Sequence, residues 1–178
     1  SAATSVEQVV IALNTNIWTM LAPARTDSIV FVGAQTPLIF DPMSVIAFGY
    51  ASCTGLAILF ASALRAAGIP ARVVGTPAWL GQRNNGNHNW VEVYNAGVWN
   101  FMEPSPKQST IDSLDRDPCQ RWFCHRDRFN DTVTTPVYAA RLDQSRNKTI
   151  YPLAWEWNSK DVPGDDRTSY YTDICSKC

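Results

Sequence analysis

The sequence predicts an α+β fold in which a helix with a cysteine at its start packs on an antiparallel sheet. An apolar helical pattern runs from Cys53 to Ala67, and a short apolar strand follows it at residues 71–74. Further along, residues 88–94 and 98–102 flank a three-residue turn, and the first of them alternates between polar and apolar side chains. This arrangement is typical of a β-hairpin.

The helix has one apolar face, which we expect to be buried. The residues that recur at helical spacing on this face are Leu56, Leu59, Phe60, Ala63, Leu64 and Ala67. Gly68 suits the end of a helix, and Pro70 prevents the helix from resuming. Cys53 lies at the positive end of the helix dipole, where first-turn amide groups favour a thiolate. This stretch alone is equally compatible with a small cysteine buried in the core.

The hairpin offers an imidazole at the start of one strand and a carboxylate at the end of the other. His88 begins the first strand and Glu103 follows the second, so a short turn brings both to the open end of the hairpin. A nucleophile, a base and a carboxylate that holds the ring tautomer make up a Cys-His-carboxylate triad. Glu92 is the alternative carboxylate, but about 13 Å of strand separates it from His88.

The order of these residues resembles the core of the transglutaminase-like superfamily. The resemblance covers about residues 42 to 105, and it is carried by Cys53 with its helix, Gly68-Ile69-Pro70-Ala71-Arg72-Val73-Val74, His88-Asn89-Trp90-Val91-Glu92-Val93-Tyr94, Gly97-Val98-Trp99 and Glu103-Pro104. It implies a papain-like core with Cys53 as nucleophile, His88 as base and Glu103 as the third member. The superfamily usually has Asp at the third position, so Glu103, longer by one methylene, departs from the pattern.

This resemblance implies acyl transfer at an amide bond of a protein or peptide, through a Cys53 thioester and without a metal or organic cofactor. Hydrolysis would make the protein a protease or amidase and attack by an amine would make it a transamidase, and the residues are the same for both. The upstream Gln of papain-like enzymes implies Gln35 as an oxyanion donor beside the Cys53 amide. Trp79 and Trp90 are candidate substrate-binding residues, although Trp79 suits a loop anchor equally well. Glu103 keeps open the alternative of an inactive module that binds protein or glycan.

Length and charge favour one ordinary globular domain. The chain has 178 residues and a net charge of −1. We expect one domain over residues 1–178, with its core at about 42–105 and a disulfide-bearing extension at about 117–178. The sequence has no basic block, which argues against nucleic acid or an anionic membrane as partner. It shows no signal peptide or membrane-spanning run, and because it begins with Ser1, we expect a processed chain or a fragment.

Weaker patterns predict the remaining elements. We expect an amphipathic helix at residues 6–21, a strand or buried loop at 29–32, and a short helix at 42–46. Residues 132–142 and 150–157 are expected to be strands that extend the sheet. The polar residues 158–171 are expected to be a turn-rich segment, in which the acidic stretch 161–166 is a solvated turn in preference to a calcium loop.

The cysteines favour a secreted protein. Cys119, Cys124, Cys175 and Cys178 cluster near the C terminus and can form two disulfides in any of three connectivities, whereas Cys53 stands apart. Their spacing also suits zinc, which is the competing interpretation. Sequons at Asn130 and Asn147 favour a secreted, disulfide-bonded glycoprotein. His125 is a rival base, but charged neighbours and the adjacent Cys124 favour a role at the surface or in a disulfide loop.

Overall fold

The computed structural model describes residues 5–34, 39–106, 118–130, 132–141 and 164–178, and these form a mixed α+β fold with an antiparallel sheet, as predicted. Its α-helices are α1 Val6–Met20, α2 Pro42–Phe48, α3 Cys53–Ala66 and α4 Thr168–Cys175. Its strands are β1 Val30–Phe31, β2 Tyr50–Ala51, β3 Ala71–Thr76, β4 His88–Asn95, β5 Val98–Met102, β6 Tyr138–Ala140 and β7 Gly164–Asp166. Two compact units result: unit 1 takes Ser1–Ala71 and Trp90–Arg116, and unit 2 takes Arg72–Asn89 and Asp117–Cys178.

In unit 1, helices α1 and α3 pack together through apolar faces. The side-chain oxygen of Ser5 accepts a hydrogen bond from the Gln8 amide and so caps the start of α1. Trp18 of α1 and Phe60 of α3 are both fully buried, and their ring centroids are 6.1 Å apart. Burial of two such aromatic side chains contributes about 2–3 kcal/mol each to folding, so this contact is central to the core of unit 1.

A sharp turn between α2 and α3 sets where Cys53 lies. Asp41 caps α2 by accepting a hydrogen bond from the Ser44 amide (2.9 Å), and hydrogen bonds from the side chain and backbone of Ser44 lower the pKa of this carboxyl. Gly49 ends α2 at φ 77°, a conformation that glycine adopts without steric cost. The chain then forms β2, which pairs with β1 in parallel, and enters α3 directly.

The predicted hairpin is confirmed in unit 1. Strands β4 and β5 pair antiparallel, with Val91 opposite Met102 and Asn95 opposite Val98. The two turn residues Ala96 and Gly97 have φ values of 52° and 84°, as a tight turn between twisted strands requires.

Unit 2 contains the other part of the antiparallel sheet. Strand β6 lies between β3 and β7, with Val74 opposite Ala139 and Tyr138 opposite Asp166. Desolvation and the Asp166 carboxylate raise the pKa of Tyr138, which keeps the phenol neutral. The first two residues of β4 run beside β3, where the Asn89 side chain donates to the carbonyl of Val74 (3.3 Å).

The C-terminal segment differs from the sequence prediction. The turn-rich segment expected at residues 158–171 is wrong over its described part, because β7 and the start of α4 lie there. Within the described residues of 132–142, the strand is limited to Tyr138–Ala140. The strand predicted at 150–157 lies outside the residues that the structure describes.

Two disulfides join Cys175 of α4 and Cys178, which lies three residues further on, to the segment around residue 120. They pair Cys119 with Cys178 and Cys124 with Cys175, which selects one of the three connectivities. The zinc interpretation is wrong, because the four sulfur atoms are bonded in two pairs as disulfides. Two disulfides are typical of proteins that fold in an oxidising, extracellular environment. No helix among the described residues is long and apolar enough to cross a bilayer.

Candidate active site

Cys53 is the first residue of α3 and takes part in neither disulfide. Ser52 precedes it in an extended conformation and makes no side-chain capping bond to the helix. The half-buried thiol therefore lies where the helix dipole stabilises a negative charge, as expected from the sequence.

Close packing fixes the first turn of this helix. A Cβ atom added to Gly55 would lie 2.5 Å from the carbonyl oxygen of Ile39 and 2.7 Å from Cβ of Ala51. Because one of these neighbours is backbone, only glycine fits here without movement of the chain. The turn that carries Cys53 is thus held against residues 39 and 51.

Glu103 directly follows β5 in unit 1, and a buried side chain holds its backbone. Asn14 of α1 is fully buried; its Nδ2 donates to the carbonyl of Glu103 (2.8 Å) and its Oδ1 accepts from the amide of Ser105 (3.1 Å). The hydroxyl of Ser105 also donates to the carbonyl of Glu103 (3.0 Å). The amide side chain of Asn14 therefore holds both ends of the segment from Glu103 to Ser105, an arrangement that we call the Asn14 clamp.

His88 begins β4 in unit 2, and its side chain lies among aromatic rings. Its ring centroid is 4.7 Å from that of Trp122, 5.7 Å from Phe123 and 6.5 Å from Trp79. The residue is only 6% exposed. Contacts with these large rings restrict the orientation of the imidazole, which a general base requires.

Beside these rings is an open pocket of about 470 Å³, which we call the indole pocket. It is formed by Trp79, Leu80, Asn85, Trp122, His125, Asp127 and Arg128. The guanidinium carbon of Arg128 lies 4.8 Å from the Trp79 ring centre and 5.0 Å from that of Trp122. Cation–π contacts at these distances hold the arginine side chain against both indoles.

The remaining predicted residues have different surroundings. Trp79 is 3% exposed and Trp90 is fully buried. Glu92 is fully buried on β4 opposite Phe101.

The Oδ1 atom of the sequon residue Asn130 accepts hydrogen bonds from the amides of Thr132 and Val133. Gln35 and Asn147 lie outside the described residues. The predicted roles of these residues stay predictions.

Cys53 and Glu103 belong to unit 1 and His88 belongs to unit 2. The structure places all three at the element ends expected from the sequence. Their joint action as a triad stays a prediction. The structure does bring His88 together with Trp79, one of the two predicted substrate-binding residues.

Three residues of these sites were not predicted from the sequence. Asn14 could have been recognised in the sequence, because it is a polar residue on the buried face of an amphipathic helix, and a buried polar residue needs a hydrogen-bond partner. Trp122 and Arg128 belong to a stretch rich in arginine and aromatic residues near Cys119 and Cys124. That composition indicates contacts among the residues without showing that they form a pocket.

Comparison with known families gives one result. The family model of the transglutaminase-like superfamily matches residues 21–104, which include Cys53, His88 and Glu103. The resemblance seen in the sequence is thereby confirmed over these residues. The comparisons with curated proteins and with solved structures found no match.

Proposed function

We propose that this protein, whose residues 21–104 form a transglutaminase-like core, is a thiol-dependent acyl-transfer enzyme that acts on amide bonds of a protein or peptide. The observation that supports this most is the position of Cys53 at the start of α3, within the matched residues. A thiol at a helix start is favoured as thiolate, and the superfamily commonly contains cysteine enzymes.

In the proposed mechanism, His88 accepts the Cys53 proton and Sγ attacks the amide carbonyl carbon. The backbone amide of Cys53, and Gln35 in the same role, donate to the oxyanion that develops. Protonated His88 then gives its proton to the leaving amine as the C–N bond breaks, which leaves a thioester. Water or a second amine, deprotonated by His88, attacks the thioester carbon. The C–S bond then breaks, an acid or a new amide is released, and protonated His88 returns its proton to the Cys53 thiolate.

Glu103 is proposed to accept the other imidazole N–H and to stabilise the imidazolium. The clamp formed by Asn14 supports this role, because it fixes the backbone from which the longer glutamate side chain must reach. The inactive binding module stays the alternative, favoured by the presence of Glu in place of the usual Asp.

We further propose that the protein is secreted and carries N-linked glycans at Asn130 and Asn147. The two disulfides and the two sequons support this proposal. A mass that is unchanged by peptide N-glycosidase, in protein from its native source, would contradict the glycosylation.

Alkylation of Cys53 tests the proposed chemistry without knowledge of the substrate. We expect unreduced protein to incorporate one iodoacetamide, at Cys53, at about pH 6, where an ordinary thiol is almost unreactive. The variant His88→Ala should react at least about tenfold more slowly at that pH, because the thiolate loses its imidazolium partner. His125→Ala is the matched control, since it removes the other histidine of the chain and should leave the rate unchanged.

An enzyme should also lose thioester formation in Cys53→Ala and His88→Ala to a similar extent, since members of a triad act as a unit. Glu103→Gln should retain part of the rate, and Glu103→Asp should change it measurably. If Cys53 reacts equally slowly in wild type and His88→Ala, the catalytic proposal is wrong. If Glu103→Asp and Glu103→Ala both keep the wild-type rate, Glu103 does not orient the imidazole.

A further inference from the structure

We propose that the indole pocket binds a carboxylate of the substrate, so that the enzyme prefers peptides with an acidic side chain close to the reacting amide. That the ligand is a substrate rests on the proposed function, but the binding itself does not depend on catalysis. All residues of the pocket belong to unit 2.

The availability of Arg128 carries the argument. Its guanidinium lies against two indoles, and among the described residues no carboxylate forms an ion pair with it. By contrast, Arg72 and Arg141 both pair with Asp165, at 2.6 and 3.5 Å. A guanidinium that uses its faces for stacking keeps the N–H donors at its edges, and their fork geometry matches a carboxylate.

Among the described residues, no acidic side chain forms an ion pair that neutralises Arg128. The one carboxylate in the pocket lining, Asp127, has a side chain that is 82% exposed, and its Oδ2 lies 3.2 Å from Nδ1 of His125, which accepts a hydrogen bond from the Asp127 amide. Because solvent screens an exposed carboxylate, an incoming carboxylate would still be attracted to the guanidinium of Arg128.

The pocket is held in shape by a buried hydroxyl. Thr135 is fully buried; its Oγ1 accepts from the amide of Leu80 (2.8 Å) and donates to the carbonyl of Arg128. This one side chain ties together the backbones of two pocket residues that are far apart in sequence. The geometry of the pocket is thus preorganised, which reduces the entropic cost of binding.

Size and apolar surface indicate what accompanies the carboxylate. A volume of about 470 Å³ suits one or two amino-acid residues of a ligand. Trp122 is 55% exposed, a large apolar surface that a ligand chain can cover. Peptide methylene groups beside an acidic group therefore match the pocket better than a simple inorganic anion does.

The same indole connects the pocket with the proposed base. The Trp122 ring centre lies 4.7 Å from that of His88 and 5.0 Å from the guanidinium carbon of Arg128. Since an extended residue spans about 3.5 Å, a carboxylate at Arg128 belongs to a residue roughly two or three positions from the amide at His88. Trp122 and Arg128 lie beyond residue 104, so this selectivity would be added by the C-terminal extension.

The test is a binding measurement on the full chain with the substitution Cys53→Ala, which cannot turn over. The protein is labelled with ¹⁵N at its tryptophan indoles, and the Trp122 signal is assigned by its loss in Trp122→Phe. The probes are acetylated, amidated alanine peptides that contain one Gln and one Glu, separated by one to three residues in either order. The matching peptides have Gln in place of the Glu.

We expect at least one Glu peptide to shift the Trp122 indole signal saturably and to bind about tenfold more tightly than its Gln counterpart. Arg128→Met should remove this preference, and Arg128→Lys should keep only part of it. Arg126→Met is the matched control, because it removes an exposed arginine two residues away with the same change in net charge. It should retain the preference.

Equal binding of the Glu and Gln peptides by Cys53→Ala overturns the inference, and this comparison needs no change in the pocket. Equal loss in Arg126→Met and Arg128→Met overturns it too, because net charge alone would then be responsible. Tighter binding of a neutral saccharide, chitotetraose, at the Trp122 signal would identify a glycan site instead. A wild-type protein that binds as expected but forms no thioester would remove the proposed enzyme function and leave this inference intact.

Discussion

At the scale of single residues, Asn14 links the opening helix to the proposed catalytic carboxylate. Both polar atoms of its side chain are used, and both partners lie in the short segment that follows β5. A buried and fully satisfied amide specifies one position for the groups it binds, because any shift leaves a polar group without a partner. We therefore regard Asn14 as a positioning residue for Glu103.

Asn14→Ala should weaken both the fold and the activity. Loss of the amide leaves a buried N–H and C=O with fewer partners, which costs about 1–3 kcal/mol. The displaced Glu103 should also lower kcat with little effect on KM, because its role is in the transition state. Asn16→Ala is the matched control, since Asn16 is exposed on the same helix and its side chain donates a local hydrogen bond to the carbonyl of Ala12.

Thermal melts and steady-state kinetics of both variants check this prediction. Asn14→Asp adds a finer comparison, because it keeps an acceptor for the Ser105 amide but places a carboxylate oxygen against the carbonyl of Glu103. We expect its kcat to fall as well. Equal melting temperatures and equal kcat for Asn14→Ala and Asn16→Ala would show that the clamp has no positioning role.

At the scale of elements, the approach of β3 to the start of β4 sets where His88 lies. A Cβ atom added to Gly75 would be 2.2 Å from Nδ2 of Asn89 and 2.7 Å from the carbonyl oxygen of His88. The first neighbour is a side chain and can move, but the second is backbone. The glycine thus permits a strand separation that no larger residue allows.

Gly75→Ala should displace the backbone of His88 and slow thioester formation. Overpacking of this kind costs about 1–3 kcal/mol of stability. Gly68→Ala is the control, since a Cβ there meets nothing within 4 Å and only the φ value of 78° is unfavourable. If the two variants lose similar stability but only Gly75→Ala loses rate, the effect belongs to His88. Equal rates at matched stability would contradict this role of Gly75.

The elements that local sequence specifies could be predicted, and those that depend on distant contacts could not. Alternating side chains and turn residues predict the hairpin of β4 and β5, and Gly68 predicts the nearby end of α3. These patterns act over only a few positions. Helix α4 lies in a polar stretch, and disulfides join its last residue, Cys175, and Cys178 just beyond it to residues 51 and 59 positions away. Propensity alone gives little indication of such a helix.

The same reasoning applies to the candidate site. Cys53, His88 and Glu103 lie at element ends, where their order in the sequence suffices to propose a triad. The bond from Asn14 to Glu103 spans 89 residues, and the indole pocket brings together Trp79 and Arg128 from separate segments. Contacts between such distant residues are set by tertiary packing, which no local pattern encodes.

At the scale of the whole molecule, the two disulfides hold the C-terminal extension to different degrees. Cys124 and Cys175 are fully buried, whereas Cys119 is exposed and Cys178 is half-buried. Cys124 directly follows Phe123, whose ring lies 5.7 Å from that of His88. The buried disulfide therefore fixes a segment that contacts the proposed base, whereas the more exposed disulfide holds Cys178 to Cys119.

Removal of the two bonds should accordingly have unequal effects on function. A paired change of Cys124 and Cys175 to Ser should cost about 2–5 kcal/mol and should also weaken recognition of acidic peptides, because Phe123 and Trp122 lose their anchor. The same change at Cys119 and Cys178 opens a loop of similar length and is the matched control for the entropic part of the loss. Thermal melts and the ratio of kcat/KM for Glu and Gln peptides measure the two effects separately. If both paired changes lower the stability alike and neither alters the kcat/KM ratio, the disulfides only stabilise the fold. Equal losses of stability are expected in that case, because a disulfide that constrains the unfolded chain acts regardless of where in the native structure it lies.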